Sequence, residues 1–505
     1  MTDLQLDTLE ARGLVRPAAY EPELEYLFRH VLVQDAAYES LLKQQRRELH
    51  LLVGEAIERL YPERGAEMAG VLAMHFEQAG DTERALAHYV IEGAYALERN
   101  ALREAAAAFT RARGLLPAAT DEDPPEVLRR RITIELGRAR ATFTLAAGPQ
   151  VEADLQAIVP AAERLGDLEL LAQVYLYLTL GRLESGRKAT EPDIQQGLNR
   201  LAEIGTELDD PSLIAMPMAL VGLNKVFVGP TREGVEALEK AIPLMESRRD
   251  FIGAAFARGW LTIGYASLGD FDRAAAAEDH TVREAARGDL IAQLDAQIAQ
   301  AMVRSLRGDL DEAEPIARAC VDRSQETGAA ACAVVSAWVL GDVYQRQGRF
   351  DDAREILQLG MDLAPVSGNA SAMWRPTLQA WLGTSHAMLG VSDPDDSRWD
   401  TALAAARQIS NGPGEAGILW KRAEVRAKSG QLDAAIEDYA GSAAILDSEG
   451  LRPTLARVLR GWGKALLASG QHEEGRDRLE RAGQLFLEMG IEREAEELRR
   501  QLSTA

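Results

Sequence analysis

Seven glycines recur at an almost constant interval from residue 229 onward in the 505-residue chain. Successive members are 40, 39, 40, 42, 40 and 40 residues apart. A fixed period between 20 and 50 residues is the signature of a repeat protein. The sequence therefore predicts a solenoid. The seven are Gly229, Gly269, Gly308, Gly348, Gly390, Gly430 and Gly470.

Each glycine lies between two helical segments, in settings such as "SLGDFDRA" and "RQGRFDDA". Glycine takes the left-handed conformation at a helix end without steric cost. A polar residue after it favours the start of the next helix. Alanine follows five residues later, where the second helix passes close to the first. Each unit is thus predicted to be an antiparallel helical hairpin; the alanines are Ala274, Ala313, Ala353 and Ala435.

The composition agrees with an all-helical repeat fold. The chain is longer than one hydrophobic core supports, and hydrophobic residues make up 47% of it while aromatic residues make up only 6%. Alanine-rich stretches such as "REAAAAF" let helices approach closely. The predicted fold class is therefore all-α, a superhelical solenoid of helical hairpins with a small N-terminal segment of another kind.

The charge balance limits the classes of partner. The chain has 56 Lys and Arg against 79 Asp and Glu, a net charge of −23. Because phosphate contacts need clustered cations, we expect no direct nucleic-acid binding and no membrane binding. The two cysteines, Cys320 and Cys332, provide no disulfide framework, which is typical of a reducing cytoplasm. No secretory pattern and no run of about 18 apolar residues is present, so a cytoplasmic location is predicted.

The first 62 residues have a different pattern. An amphipathic helix ends at Gly13, two β-prone runs, "LVRPA" and "ELEYLFRH", suggest a hairpin, and one long helix follows from Val33 to Tyr61. Helix, hairpin and helix together match the back half of a winged helix. The predicted domains are a partial winged helix or linker at 1–62, the first hairpins at 63–120, and the superhelix at 121–505.

Residues 338–365 resemble a tetratricopeptide repeat. Small, aromatic and helix-ending residues stand at that family's positions, while Arg304, His386 and Arg426 replace the aromatic residue in other units. The period of about 40 exceeds the usual 34, as in the right-handed superhelices of large bacterial signalling proteins. The matching residues are Leu340, Gly341, Tyr344, Gly348, Phe350, Ala353 and Pro365.

A second resemblance covers Leu4 to about Leu116. This stretch is similar to the region after the ATPase core in bacterial proteins that join a class III adenylate cyclase or a transcription-factor domain to a STAND-type ATPase and a tetratricopeptide tail. The resemblance implies an upstream ATPase, cyclase or DNA-binding domain in a longer parent, whose catalytic motifs this chain lacks. The residues that carry this resemblance are Gly13, Leu14, Val15, Phe28, Arg29, His30, Tyr38, Glu39, Ser40, Leu41, Leu42, Arg46, Arg47 and His50.

The sequence shows no recognisable motif for catalysis. The segment "GRLESGRKAT" has the glycine spacing of a phosphate loop at Gly181 and Gly186, but Arg187 stands where that motif requires lysine. The seven histidines form no metal-binding pattern, and His30 and His50 are expected to pack near the hairpin as structural residues. We therefore predict no enzymatic activity, no cofactor and no metal.

A binding surface is predicted on the first helix of each hairpin, which lines the concave face in tetratricopeptide superhelices. Aromatic and charged side chains there suit peptide recognition. The alternative is that Trp338 and Trp420 simply pack against the next hairpin. The predicted surface consists of Trp338, Asp342, Arg346, Trp420, Glu424, Lys428, Arg457, Arg460 and Lys464.

Two functions are compatible with these patterns. The first is a non-catalytic protein–protein interaction or sensor module of a signalling ATPase or adenylate cyclase-type protein, which binds a protein or peptide in the groove. The second is an inducer- or partner-binding regulatory domain of a transcription activator of the same ATPase class. The domain encoded immediately upstream would discriminate between them.

Overall fold

The structure is a computed structural model that forms two compact units. Unit 1 comprises Met1–Tyr95 and Ala107–Ala118, and unit 2 comprises Ala96–Ala106 and Ala119–Ala505. The domain boundaries predicted from the sequence, at residues 62 and 120, stay a prediction. The structure describes residues 3–19, 25–120, 122–146, 149–184, 187–248, 250–285, 290–364, 370–391 and 397–504. Gly186 and Pro365, singled out in the sequence, lie outside these residues.

The N-terminal segment contains the predicted β-hairpin. Its strands pair antiparallel, with Val15 opposite Phe28 and Arg16 opposite Leu27. The prediction of a hairpin is confirmed, whereas its membership of a winged helix stays a prediction. The elements from the N-terminus are α1 (Asp3–Ala11), β1 (Val15–Ala19), β2 (Glu25–Phe28), α2 (Val31–Glu39), α3 (Lys43–Leu60), α4 (Ala69–Ala79), α5 (Thr82–Glu98) and α6 (Leu102–Leu115).

The single long helix predicted from Val33 to Tyr61 is wrong, because the chain breaks between α2 and α3. Leu42 has an extended backbone, with φ −65° and ψ 151°. Its N–H donates to Oε1 of Gln45 at 3.0 Å, and the Ser40 hydroxyl donates back to the Ala37 carbonyl at 2.7 Å. Local side-chain bonds of this kind compete with the helical ladder, and periodicity alone does not reveal them.

Histidines of unit 1 contact one another, though not as expected. His50 is hydrogen-bonded through Nε2 to the Tyr38 hydroxyl at 3.0 Å and through Nδ1 to Nδ1 of His75 at 2.9 Å. Burial lowers the pKa of both rings. His30 instead lies exposed at the start of α2. The pair joins α3 to α4, beside a small core of Leu72, Phe76 and Ala85.

Unit 2 is a tetratricopeptide-like helical solenoid, which confirms the predicted fold class. Its helices are α7 (Pro125–Ala146), α8 (Pro149–Leu165), α9 (Leu168–Glu184), α10 (Pro192–Glu207), α11 (Pro211–Val228), α12 (Thr231–Ser247), α13 (Phe251–Leu268), α14 (Phe271–Ala285), α15 (Leu290–Arg307), α16 (Leu310–Thr327), α17 (Ala330–Arg346), α18 (Phe350–Leu363), α19 (Ala370–Met388), α20 (Ser397–Gln408), α21 (Gly412–Lys428), α22 (Leu432–Glu449), α23 (Arg452–Ala468), α24 (His472–Glu488) and α25 (Glu492–Thr504).

The repeating glycines have the positive φ that the sequence predicts, although Gly229, with ψ 157°, lies outside the left-handed helical region. All seven have positive φ, between 71° and 95°, and each lies between the two helices of a hairpin. Further positive-φ residues, among them Gly328, Gly450 and Gly490, end the second helices and were not anticipated. A left-handed residue therefore reverses the chain both within and between hairpins.

The alanines five residues after the glycines are completely buried. Ala274, Ala313, Ala353 and Ala435 each have 0% exposed surface. Glycines on the first helices make the same close approach possible, because a Cβ on Gly341 would lie 2.5 Å from Leu357 of the paired helix. Small side chains at the crossing thus set the distance between the two helices of a hairpin.

Helices far apart in sequence meet inside unit 2. The first helices lie side by side, and α11 contacts α21 while α13 and α15 both contact α23. Polar contacts reinforce this closure, since the Thr231 N–H donates to Glu449 Oε2 at 3.2 Å and Arg457 Nη2 donates to the Leu306 carbonyl at 2.8 Å. One turn of the superhelix therefore closes after about five hairpins.

One helix, α11, is long and apolar enough to cross a membrane by length and composition alone. Half of its 18-residue window is buried inside the protein, and it packs against α10, α12 and α13. The helix thus has an established place in the core of the solenoid. The expectation that no segment spans a membrane stays a prediction.

The left-handed glycines are testable within a single hairpin. Gly430 has φ +77° and open space around an added Cβ, so Gly430→Ala incurs backbone strain alone and is expected to destabilise by about 1 kcal/mol. Gly441, within α22, offers a matched control: an added Cβ meets Leu419 at an ordinary 3.4 Å. Gly441→Ala is expected to stabilise by about 0.5–1 kcal/mol. Calorimetric melting of both variants would reveal shifts in opposite directions, and a common direction would contradict the assignment.

Candidate ligand-binding surface

The inner surface of unit 2 is formed by first helices of successive hairpins. Side chains from α11, α13, α15, α17, α19, α21 and α23 surround two adjoining cavities. One cavity is apolar and aromatic, with a volume of about 170 Å³. The other is basic, with a volume of about 560 Å³. Arg346, Trp420 and Arg457 belong to the walls of both.

Tryptophans form a continuous row along the aromatic cavity. The Trp338 ring lies 5.4 Å from that of Trp374 and 5.8 Å from that of Trp381, and Trp381 lies 6.3 Å from Trp420. Phe227 extends the row, 5.1 Å from Trp374. Edge-on and tilted ring contacts at these distances are favourable. The row holds the aromatic walls in fixed positions across the α17, α19 and α21 hairpins.

Two indole N–H groups of the aromatic row differ in their partners. Trp381 Nε1 donates to Asp342 Oδ1 at 2.9 Å. The Nε1–H of Trp338 is buried and has no acceptor among the residues that the structure describes. A buried donor without an acceptor is costly. Trp338, in the wall of the aromatic cavity, therefore carries a buried donor that the described residues leave unsatisfied.

The basic cavity contrasts with the acidic chain around it. Six basic and three acidic side chains line it, an excess of positive charge in a protein of net charge −23. Charges of one sign in a cleft focus the field and attract oppositely charged ligands. The basic side chains are Arg346, Lys421, Arg457, Arg460, Lys464 and Arg493, and the acidic ones are Glu424, Glu494 and Glu497.

One carboxylate holds three of these arginines together. Glu494, on α25, accepts from Arg457 Nη2 at 2.6 Å, from Arg346 Nη2 at 2.9 Å and from Arg460 Nη1 at 3.1 Å. Arg457 is 3% exposed, so this ion pair is shielded from water. Removing one member of a buried pair leaves uncompensated charge, which is strongly destabilising.

The electrostatics of this cluster follow from burial and proximity. Burial alone would raise the pKa of Glu494, but Arg457, Arg346 and Arg460 lower it to about 2. Burial, together with repulsion from Arg457, lowers the pKa of Arg346 to about 10. Burial likewise lowers the pKa of Lys464. The positive charges are thus only partly compensated by the acids that face them.

Lys421, in the wall of the basic cavity, contacts two tryptophans of the aromatic cavity. Its side chain is 2% exposed, and Nζ lies 4.3 Å from the centre of the Trp420 ring and 5.0 Å from that of Trp381. It also pairs with Glu424 at 3.2 Å and lies 3.9 Å from Asp342. A buried ammonium between two aromatic faces is stabilised by the ring quadrupoles.

The residues predicted from the sequence are distributed along these two cavities. Trp338 and Asp342 line the aromatic cavity, and Arg346, Trp420 and Arg457 line both. Glu424, Arg460 and Lys464 line the basic cavity. Lys428 lies apart, where Nζ donates to the carbonyls of Ala387 at 3.1 Å and Met388 at 2.6 Å, at the end of α19. Whether these residues bind a ligand stays a prediction.

The sequence left open whether Trp338 and Trp420 line a binding surface or pack against the next hairpin. In the structure they do both, since they pack on neighbouring hairpins and also line a cavity. Other members were missed: Phe227, Trp374, Trp381, Lys421 and Glu494. Trp381 lies nine residues before Gly390, one position from the alignment that selected Trp338 ten residues before Gly348. No sequence pattern indicated Glu494, because it lies 148 residues from Arg346 in the chain and contacts it only in the folded protein.

In the segment with phosphate-loop spacing, Arg187 is paired with acidic residues that follow it closely in the sequence. Arg187 Nη2 donates to Glu191 and to Asp193, both at 2.7 Å. Both cysteines are buried thiols that form no disulfide with each other, and burial raises the pKa of the Cys320 thiol to about 11. Among the described residues no group of three or more His, Cys, Asp or Glu side chains is placed to hold a metal ion.

The fold and this inner surface define a tetratricopeptide-like solenoid with a preformed interior cleft, and comparison with known proteins agrees. Residues 293–365 match the tetratricopeptide repeat family. A stretch of 131 residues is 29% identical to an uncharacterized protein of Rhizobium meliloti (strain 1021). That stretch is 26% of this chain and only 13% of the relative's length.

Two solved structures are similar to this chain. A Rap protein complexed with Competence and Sporulation Factor is 14% identical, with a TM-score of 0.52 over 74% of this chain and 100% of that one. A STAND protein with a tetratricopeptide repeat sensor from Pyrococcus horikoshii is 13% identical, with a TM-score of 0.41 over 87% of this chain and 74% of that one. At these identities the Rap structure supports the fold alone.

The Glu494 cluster predicts a specific dependence on pH. A carboxyl whose pKa is lower in the folded state stabilises above its unfolded pKa, and this contribution is lost as pH falls. For a shift from about 4.5 to about 2, the loss amounts to roughly 3 kcal/mol. Wild type should therefore be more stable than Glu494→Gln at pH 7, and the difference should shrink by pH 3. Urea unfolding followed by tryptophan fluorescence measures it.

Glu497→Gln is the matched control for this measurement. Glu497 lies one turn along the same helix and accepts from Gln501 at 3.4 Å. Its replacement should have little effect at either pH. A constant difference in unfolding free energy between wild type and Glu494→Gln from pH 7 to pH 3 would show that the arginine cluster does not hold the carboxylate in its ionised form.

Proposed function

We propose that unit 2 is a non-catalytic sensor that binds a peptide or protein segment in its two inner cavities. The observation that carries this proposal is the junction of a rigid tryptophan-lined cavity with a basic cavity across the shared residues Arg346, Trp420 and Arg457. Aromatic and arginine side chains in buried positions provide most of the binding energy at protein interfaces. A Rap protein of similar fold is complexed with Competence and Sporulation Factor.

The charge of the inner surface favours an acidic or carboxylate-bearing partner. The excess of basic residues in the basic cavity opposes the net charge of −23 carried by the whole chain. Electrostatic complementarity of this kind promotes encounter and selects among partners. Double-stranded nucleic acid does not match a cavity of about 560 Å³, and we propose that neither nucleic acid nor a membrane is bound directly.

Binding inside the solenoid offers a route for a signal. Each hairpin contacts its neighbours, so a small change in each interface alters the pitch of the superhelix. The contacts of α23 with α13 and α15 close one turn around the cavities. A ligand in these cavities changes the spacing of the helices that surround it and thereby favours one pitch over another.

We further propose that the N-terminal segment couples this sensor to an ATPase or adenylate cyclase-type domain in a longer cytoplasmic protein. Several large apolar side chains of this segment are more than half exposed. Exposed apolar patches on soluble proteins mark interaction sites, which supports a partner domain against this surface. These side chains are Leu27, Val31, Leu32, Leu42, Leu52 and Leu60.

Affinity selection from a library of soluble peptides with free C-termini tests the binding function on the intact chain. Selected peptides should bind wild type with a measurable dissociation constant by calorimetric titration. Trp338→Ala should weaken them at least about tenfold, the loss expected for an interface anchor. The control is Trp462→Ala: Trp462, on α23, is also half-buried but lies outside both cavities and carries Arg478 on its ring.

Two results would contradict the proposal. One is a selection that enriches no peptide above a column without protein. The other is equal affinity of the selected peptides for wild type and Trp338→Ala, since the ligand would then bind elsewhere on the chain. Circular dichroism and melting of both tryptophan variants separate loss of the cavity from loss of the fold.

A further inference from the structure

We propose that Glu494 occupies the position of a ligand carboxylate. Resting on the proposed function, this inference specifies the ligand: a free carboxylate binds Arg346 and Arg457, and an apolar group beside it, of the size of a leucine or phenylalanine side chain, fills the tryptophan-lined cavity. The C-terminal residue of a peptide has this chemistry. Binding exchanges the protein's own carboxylate for that of the ligand.

The two arginines lie where they can bind the ligand's carboxylate while its apolar group enters the aromatic cavity. Arg346 and Arg457 are the cationic side chains in the wall of the aromatic cavity, and they also line the basic cavity. A carboxylate placed where Glu494 now accepts their N–H groups, at 2.9 Å and 2.6 Å, therefore lies next to the opening of the aromatic cavity. Arginine recognises carboxylates through paired, charge-assisted hydrogen bonds.

The volume of the aromatic cavity limits the size of the ligand's apolar group. An engineered protein cavity of about 150 Å³ holds one benzene molecule, and this cavity has a volume of about 170 Å³. One phenyl or isobutyl group therefore fills it.

The arginines remain in place when Glu494 leaves, because backbone carbonyls also hold them. Arg346 Nη1 donates to the Ser305 carbonyl at 2.6 Å, and Arg457 Nη2 donates to the Leu306 carbonyl at 2.8 Å. Both carbonyls lie at the end of α15. The cationic site is thus preorganised on the solenoid, independently of the helix that now supplies its anion, and preorganisation favours binding of an incoming carboxylate.

Glu494 itself is carried by α25, whose apolar residues Ala495 and Leu498, like Ile491 just before the helix, are buried in the core. α25 packs on α24, and the Glu494 carboxylate connects it to α17 and α23 through Arg346, Arg457 and Arg460. An intramolecular group of this kind competes with a ligand through its effective concentration. Replacement of its carboxylate releases α25 from α17, so ligand binding and the position of α25 are coupled.

The test compares N-acetyl-L-phenylalanine with its neutral amide, N-acetyl-L-phenylalaninamide, on the intact chain. Calorimetry and tryptophan fluorescence give both affinities for wild type, Glu494→Gln and the control Glu496→Gln, which changes an exposed carboxylate of the same helix outside both cavities. We expect the acid to bind wild type at least about tenfold more tightly than the amide, a difference of about 1.4 kcal/mol. Glu494→Gln should bind the acid at least about tenfold more tightly again, with no gain for the amide, and Glu496→Gln should match wild type.

Hydrogen exchange provides a second readout on wild type. Saturating acid should accelerate backbone amide exchange in α25, whereas the amide should leave it unchanged. This measurement and the comparison of acid with amide need no variant, so they decide the question even where Glu494→Gln fails to fold.

The inference is overturned if acid and amide bind wild type equally, if neither binds, or if the acid binds Glu494→Gln no more tightly than Glu496→Gln. These outcomes are distinct from failure of the proposed function. Peptides selected by wild type and lost by Trp338→Ala would still establish binding in the aromatic cavity, with a recognition chemistry other than a carboxylate on Arg346 and Arg457.

Discussion

The structure of unit 2 depends on the meeting of helices that lie about five hairpins apart. A solenoid whose turns stay separate has a wide groove open to water. Here α13 and α15 contact α23, and the inner helices enclose two small cavities instead. Burial of large aromatic side chains stabilises this closure, while alanine and glycine at the crossing points let the two helices of each hairpin approach closely enough for the curvature to close.

Closure of the superhelix buries charged side chains. This burial has opposite consequences for stability and for ligand recognition. Ion pairs lose hydration when they are buried, so they contribute little net stability unless every donor and acceptor is satisfied. Glu494 meets this condition, with three arginines around one carboxylate, and backbone carbonyls satisfy further guanidinium N–H groups. The same arrangement leaves more positive than negative charge in the basic cavity, which is a property of a recognition site more than of a structural core.

Local sequence patterns predicted the repeating unit well and the N-terminal helix poorly. Gly348 and Ala353 belong to one hairpin. Its turn and the crossing of its two helices both depend on residues close in sequence. The break at Leu42 depends on bonds made by Ser40 and Gln45, which interrupt a segment whose apolar spacing suits a continuous helix. Periodicity predicts which face of a helix is buried, but it does not predict where local side-chain bonds end the helix.

By itself the sequence determined the fold class, the position of the turns and the face of each first helix on which Trp338, Trp420 and Arg457 lie, because these follow from steric limits at glycine and from the 3.6-residue period. Only the tertiary structure decided how tightly the superhelix curves, and therefore that Trp374 and Trp381 join the same cavity and that Glu494 reaches Arg346 from 148 residues away. Curvature is the sum of small rotations between many hairpins. No single segment of sequence specifies that sum, so the partners that meet across the interior are fixed only when the whole solenoid has formed.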